Sequence, residues 1–293
     1  GRSRIVVMDH SYHGDTIGAM SVGARGVFNA AYAPMLFDVG RVPFPGNDPQ
    51  PTLDALEAEC AGGAAAFIVE PLVLGAGGML MYPPAVLAEM RAICARHGTL
   101  FIADEVMTAW GRTGTLTACE QADVVPDIMC LSKGLTGGAM PLAVTMASEP
   151  IWDAHYSTDR TRTFYHSSSY TANPVACAAA NANLAIWREE PVPERIAALA
   201  AKQQAHLDTL AGHAMVRNAR RCGTIAALEL GDPGGSYLSD LGPKLLRRFR
   251  EADLLLRPLG NTVYVMPPYC IEDADLARVW AEIAAAADDV AAS

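Results

Sequence analysis

Lys133 and Asp104 are two residues of this chain whose types and placement could do covalent chemistry together. Lys133 follows the apolar run Ile128-Met-Cys-Leu131 and leads into glycines, while Asp104-Glu105 ends the earlier run Leu100-Phe-Ile-Ala103. A cofactor of the pyridoxal phosphate kind needs an amine to bond its aldehyde and a carboxylate to hold the proton on its ring nitrogen. One lysine and one acid would supply both. Taken singly, each has a plainer reading, the lysine as a solvated loop residue and the acid as a helix cap. Their order shifts the balance, because both runs read as buried parallel strands and open α/β sheets gather ligands at the carboxyl ends of such strands. The expectation is a crevice that both groups face.

The elements that must hold them follow from the hydrophobic pattern. Short apolar runs at 5–8, 66–69, 100–103, 128–131 and 142–146 alternate with helix-length segments, the rhythm of a mostly parallel α/β sheet. Between them the spacing of Val86, Leu87, Met90, Ile93 and Cys94 predicts a helix over 84–97, with Pro84 in its first turn and Gly98 as its stop. A second helix begins at Asn173-Pro174 and runs to Trp187, its alanines permitting close approach to a neighbouring backbone. After Pro191-Val-Pro193 the pattern gives helices at 194–210, 238–252 and from 272, strands at 224–230 and 262–266, and a fraying alanine-rich tail at 284–292. The division is a large domain over 1–190 and a smaller α+β domain over 191–293.

Composition narrows the function classes. With 51% hydrophobic and 18% charged residues, the 293-residue chain can bury a large core, and its net charge of −10 disfavours nucleic-acid and anionic-membrane partners. The apolar stretch at 61–81 is broken by Glu70-Pro71 and several glycines, so it does not read as a membrane span. Seven scattered cysteines without a Cys-x-x-Cys pair fit reduced thiols in the cytoplasm. The chain opens on a strand without an initiator methionine, which predicts that an upstream portion is missing.

Three other patterns read as turns. His10 and His13 with Asp9 and Asp15 lack a matching ligand cluster for a metal site. Ala19-Met-Ser-Val-Gly23 lacks the first glycine of a nucleophile elbow. Gly75-Ala-Gly-Gly78 has the wrong spacing for a dinucleotide loop.

Tyr12-His-Gly-Asp-Thr16, Glu70-Pro71, Gly75-Ala-Gly-Gly-Met79, Trp110-Gly-Arg-Thr-Gly114, Leu131-Ser-Lys-Gly134 and Asn173-Pro174 occur in an order that resembles the class III aminotransferases of fold type I. Arg257-Pro-Leu-Gly260 and Met107 resemble the branch of that family that makes diaminopelargonate. The resemblance implies pyridoxal phosphate as cofactor, with Lys133 as its anchor and proton carrier and Asp104 on its ring nitrogen. Tyr12 would stack on the ring and reach the substrate. Glu70 and Asp15 would tune a neighbour's hydrogen bonding or satisfy a buried backbone group, and Glu105 would point away into a structural bond. Ser168 and Ser169 would contact the phosphate, Ser169 across a homodimer interface, and Ser167 stands where relatives have glycine. Arg257 would bind a substrate carboxylate, with Tyr264 and Arg112 nearby.

The implied reaction moves an amino group onto 8-amino-7-oxononanoate in biotin biosynthesis, with S-adenosylmethionine as the expected donor and lysine as the alternative. Two rivals remain: an omega-amino acid or diamine transaminase, and an inactive piece that cannot retain cofactor because the family's upstream Gly-Ser phosphate turn is absent.

Overall fold

The computed structural model describes residues 1–26, 29–231 and 239–291. Its elements in chain order are β1 (Ile5–Met8), α1 (Ile17–Ser21), β2 (Gly40–Val42), α2 (Gln50–Ala61), β3 (Ala66–Val69), β4 (Val73–Leu74), β5 (Leu80–Met81), α3 (Pro84–His97), β6 (Leu100–Asp104) and β7 (Ile128–Leu131). There follow β8 (Val144–Ala147), α4 (Glu149–His155), α5 (Pro174–Glu189), α6 (Val192–Leu210), β9 (Val216–Cys222), β10 (Ile225–Leu230), α7 (Leu241–Glu251), β11 (Thr262–Val265) and α8 (Asp273–Ala291). The fold is α/β, and the chain forms two units. One comprises Gly1–Leu72, Tyr82–Trp110 and Thr117–Glu190; the other comprises Val73–Met81, Gly111–Leu116 and Pro191–Ser293.

The first unit is built on a sheet in the order β2-β1-β3-β6-β7-β8, parallel except that β8 runs against β7. Its central strands are rich in apolar residues because helices cover both faces of such a sheet. Val6, Val7, Phe67, Val69, Phe101 and Ala103 are wholly buried. Asp104 pairs in register with Cys130, so β6 and β7 end close together and Lys133 lies three residues past that pair.

Helix α3 follows from its sequence. Pro83 caps it, Pro84 presets its first turn, and Gly98 ends it at φ 60°, a left-handed value that glycine adopts without cost. The predicted face of Val86, Leu87, Met90, Ile93 and Cys94 is the buried one. Each such side chain contributes about 1.5–3 kcal/mol on burial.

The second unit has the three-stranded antiparallel sheet β11-β10-β9 and the hairpin of β4 with β5. Its core gathers Leu199, Leu228, Phe249, Val263 and Trp280. Gln203, fully buried, accepts from Trp280 Nε1 at 2.8 Å and donates to the carbonyls of Thr224 and Val265, so its polar atoms are satisfied.

Several elements depart from the sequence expectation. The tail does not fray through 291: α8 continues, and Ala286 and Ala287 are buried in the core, small enough to pack where a larger side chain would not. Ala292 lies outside the described residues, as does Leu238, the expected start of the helix that begins at Leu241. The run expected at 142–146 forms a strand only from Val144. Among the described residues no helix is long and apolar enough to cross a membrane.

Candidate active site

Ser132 leaves β7 extended, and Lys133 then opens a single 3-10 turn, Lys133–Thr136, with φ 42°. A lysine in the left-handed region is uncommon and costs strain that the surroundings must hold in place. Several bonds do so. Ser132 Oγ donates to the Leu142 carbonyl at 2.7 Å, Thr136 Oγ1 donates to the Met140 carbonyl at 2.6 Å, and Gly138 N donates to the Lys133 carbonyl at 3.2 Å. From α5, Asn183 Nδ2 donates to the carbonyls of Gly134 at 2.9 Å and Leu135 at 3.2 Å.

Gly134 is required on the other side of the turn. A Cβ there would stand 2.7 Å from Trp110 Cβ and 2.8 Å from two ring carbons. Leu135, Ala180, Ala109 and Trp110 then form a small apolar cluster under the lysine. The backbone that the alanines of α5 approach is this turn. Lys133 itself is exposed and has no carboxylate partner among the described residues, which leaves its amine available.

Asp104 ends β6 and is 9% exposed. Its Oδ1 accepts from Val106 N at 3.1 Å, and its Oδ2 lies 2.7 Å from His13 Nδ1. It has no lysine or arginine partner among the described residues, so its charge is not spent within the chain. His13 Nε2 is buried and without a hydrogen-bond partner. Glu105 turns away into packing: it accepts from Cys119 N at 2.8 Å and from Thr108 Oγ1. Burial holds its carboxyl above the usual range, against the pull of those donors.

Tyr12 and Glu70 join this group through the backbone. Glu70, 6% exposed and one residue past β3, accepts from Tyr12 N at 3.0 Å, so it fixes the loop that carries both Tyr12 and His13. Burial and the Asp15 carboxylate raise the Tyr12 phenol above its ordinary value.

The other expected residues are not gathered in the same way. Ser167, Ser168 and Ser169 are exposed, and no hydrogen bond among the described residues joins them to Lys133 or Asp104. Near them His166 stacks on Phe164 at 5.9 Å, and Thr171 N donates to the Ser168 carbonyl at 3.1 Å.

Arg257, Tyr264 and Arg112 belong to the second unit. Arg257 is exposed, without an acceptor among the described residues, while Tyr264 lies in β11 opposite Ala227. Arg112 donates to the Pro267 carbonyl at 2.6 Å and lies 4.7 Å from the centre of the Tyr269 ring, a cation–π contact. Burial pulls its guanidinium below its ordinary value.

Pyridoxal phosphate fits the residues of the first unit. Asp104 is a buried carboxylate with no arginine or lysine partner among the described residues, which suits a protonated ring nitrogen. Lys133 offers a free amine from a neighbouring strand end. Sequence reasoning gives no role to three contributors: His13, Asn183 and Trp110. His13 has a signal, since it follows Tyr12 directly within the Tyr12-His-Gly-Asp-Thr16 motif, but the motif gives it no role of its own. Asn183 is a polar residue in an alanine run, and Trp110, though it opens one of the motifs of the resemblance, does not show what it packs against until Gly134 is seen beside it.

The family model for class III aminotransferases matches residues 1–287. The adenosylmethionine-8-amino-7-oxononanoate aminotransferase of Synechococcus elongatus is 44% identical, over 99% of this chain and 70% of that protein. A solved structure of the enzyme so named from Methanocaldococcus jannaschii superposes with a TM-score of 0.91 at 29% identity, over 99% of this chain and 68% of that one. An amine transaminase from an uncultivated Pseudomonas species, solved with pyridoxal phosphate bound, gives 0.90 at 30%, over 99% and 70%. The chain spans 54 to 70% of the length of the first relatives it matches.

Proposed function

We propose, from the premise that this chain belongs to the class III aminotransferase family, that it carries out the pyridoxal phosphate-dependent amination of 8-amino-7-oxononanoate in biotin biosynthesis, with S-adenosylmethionine as donor. The observation that carries the reading is the pairing of an exposed lysine on a held turn with a buried carboxylate at the neighbouring strand end, neither of them ion-paired to a lysine, arginine or acid among the described residues. When bound, pyridoxal phosphate supplies an aldehyde for the amine and a ring that accepts electrons from the substrate carbon.

The residues of the chain divide the remaining work. Lys133 Nζ anchors the cofactor and then carries the proton from and to the substrate carbon, general acid–base work for a flexible amine. The Asp104 carboxylate holds the ring nitrogen's proton, and Tyr12 lays its ring beside the cofactor. Ser168 and Ser169 offer hydroxyl donors to phosphate, and Ser167 lies where the backbone nears the substrate. Arg257 grips the distal carboxylate of the keto acid, a task that suits an arginine without an acceptor among the described residues, with Tyr264 and Arg112 beside it. Substrates are therefore small molecules.

The same reading makes the protein a homodimer of the cytoplasm. β8 is a sheet edge with all four residues exposed, and Met146, Trp152, Tyr156, Phe164, Tyr165 and Tyr170 stand 54–81% exposed along 146–170. A run of apolar surface of that kind calls for a covering partner. The seven free cysteines are consistent with a reducing compartment.

The test is an absorbance spectrum of the reconstituted protein before and after S-adenosylmethionine. A visible band that is lost on adding this donor, and restored by 8-amino-7-oxononanoate, supports the reading. A band that responds only to an omega-amine moves the function to that group of transaminases, and no band at all sinks both.

A further inference from the structure

We infer that Cys60 and Cys94 are a site of reversible oxidation: hydrogen peroxide links them into a disulfide that locks α2 to α3, and a dithiol reopens it. The inference does not depend on the transaminase reading above.

Topology sets the pair side by side. α2 leads into β3 and α3 leads into β6, adjacent parallel strands in which Ala66 pairs with Leu100. Cys60 stands six residues before Ala66, and Cys94 stands six before Leu100. Each is thus in the last turn of its helix, at the same step of two successive helix–strand units. The exit turns are bonded to one another: Leu100 N donates to the Ala65 carbonyl at 3.0 Å, and Thr99 Oγ1 donates to the Ala64 carbonyl at 3.1 Å. Glu57 on α2 accepts from Arg96 Nη2 and bonds His97 Nε2, so the helix ends are held together through side chains as well. A disulfide needs Cα atoms about 4.4–6.8 Å apart, which packed helices reach where small side chains face each other.

The thiols meet at that point. Both cysteines are free and buried, and their side chains hydrogen-bond each other. Among the described residues no group of three or more histidine, cysteine and acidic side chains could hold a metal ion, so the pair is not part of a metal site. The bond divides their acidity: it lowers the Cys60 thiol against its burial, with Thr99 and His97 helping, and it raises the Cys94 thiol. At Cys119, Cys130 and Cys222 burial dominates and raises the thiol. Cys60 is therefore the one that ionises and reacts first.

The oxidation balances in two steps. The Cys60 thiolate attacks one oxygen of hydrogen peroxide, the O–O bond breaks, and Cys60 becomes a sulfenic acid. The hydroxide that leaves takes up the proton Cys60 released and becomes water. Cys94 then attacks the Cys60 sulfur, the S–O bond breaks, and the departing hydroxide leaves with the Cys94 proton as a second water. One peroxide is reduced while two thiols are oxidised to one S–S bond. Peroxide is small enough to reach a buried sulfur through local opening, and closing the loop from 60 to 94 then removes freedom from the unfolded chain.

The test uses the full native chain. After hydrogen peroxide, the thiols titrated in denaturant should fall from seven to five, and peptide mapping without reductant should show the segments around Cys60 and Cys94 joined. The oxidised chain should melt about 5 °C or more above the reduced one, and dithiothreitol should return it to the reduced value. Cys94→Ala, treated alike, should show neither the joined peptide nor the rise. Seven thiols remaining, a bond between a different pair, or sulfinic acid at Cys60 without a bridge would overturn the inference. A joined pair that melts no higher than the reduced chain would overturn the lock between the helices.

Discussion

The turn at Lys133 and the segment around Ser167 carry expected contacts to the same cofactor, yet this chain treats them differently. The turn is held from four directions, by Ser132 and Thr136 within its own loop, by Asn183 from α5 and by Trp110 against Gly134. The serines lie on a run in which every residue from 157 to 172 is exposed. One region brings its own surroundings; the other offers hydroxyls and aromatic rings without cover. The difference teaches where the proposed chemistry is self-contained. In that proposal amine and acid come from one chain, whereas the proposed phosphate grip at Ser169 would draw on a second surface to complete it.

The sharpest way to break this comparison is at the lysine. Lys133→Ala should abolish the visible band and lower transamination by on the order of 10⁴-fold, because anchor and proton carrier are lost together. Unfolding should stay within about 0.5 kcal/mol of wild type, since the side chain is exposed and the turn is held by other residues. A variant that retains turnover would remove Lys133 from the mechanism.

At the bare region the expected effects are smaller and of two kinds. Ser169→Ala should weaken pyridoxal phosphate binding about ten- to a hundredfold, the worth of a hydrogen bond to a charged group. Met146→Glu, on the exposed edge strand, should shift sedimentation from dimer to monomer and weaken the cofactor in parallel. Loss of the dimer with unchanged cofactor affinity would place the phosphate grip within one chain and end the contrast.

The contrast also accounts for what the sequence made legible. β1, β3 and β7 have the bounds that their apolar runs predict, and α3 buries the predicted face, because central parallel strands and amphipathic helices write their burial into composition. The placement of Lys133 and Asp104 beside neighbouring strand ends was legible for the same reason, each following such a run. β9 was not: its Arg217, Asn218, Arg220 and Arg221 show no apolar alternation, and antiparallel pairing with β10 makes it a strand. α2 escaped because only Thr52, Leu56 and Cys60 are buried, too narrow a stripe to stand out after two prolines. His13 and Asn183 depend on contacts 91 and 49 residues away, which no local pattern records.

A packing test bears on the held region alone. Gly134→Ala puts a methyl group within 2.8 Å of Trp110 and should destabilise the first unit by about 1–3 kcal/mol in thermal unfolding, the usual range for overpacking. Activity should fall with it, since the turn cannot shift without moving Lys133. Pairing it with Trp110→Ala should return part of the loss, because the two changes share one contact. Strict additivity would mean that the glycine is there for another reason.

The smallest effect is a pH dependence at Glu105, next to Asp104, the acid of the proposed site. Desolvation raises its carboxyl in the folded chain above the ordinary glutamate value of 4.5. A raised value means that the folded state binds this proton more tightly than the unfolded state does. Its contribution to stability is therefore complete below the ordinary value and is lost as pH rises through the folded one. Glu105→Gln does not titrate, although it gives up one acceptor among Cys119 N and Thr108 Oγ1, a cost that is the same at every pH. The melting temperature of the variant minus that of wild type should thus become more positive as pH rises from about 4.5 towards neutrality. A difference that is flat or falls with pH would show that the donors around Glu105 outweigh its burial, and the acid beside Asp104 would then be held as an ion and not against its charge.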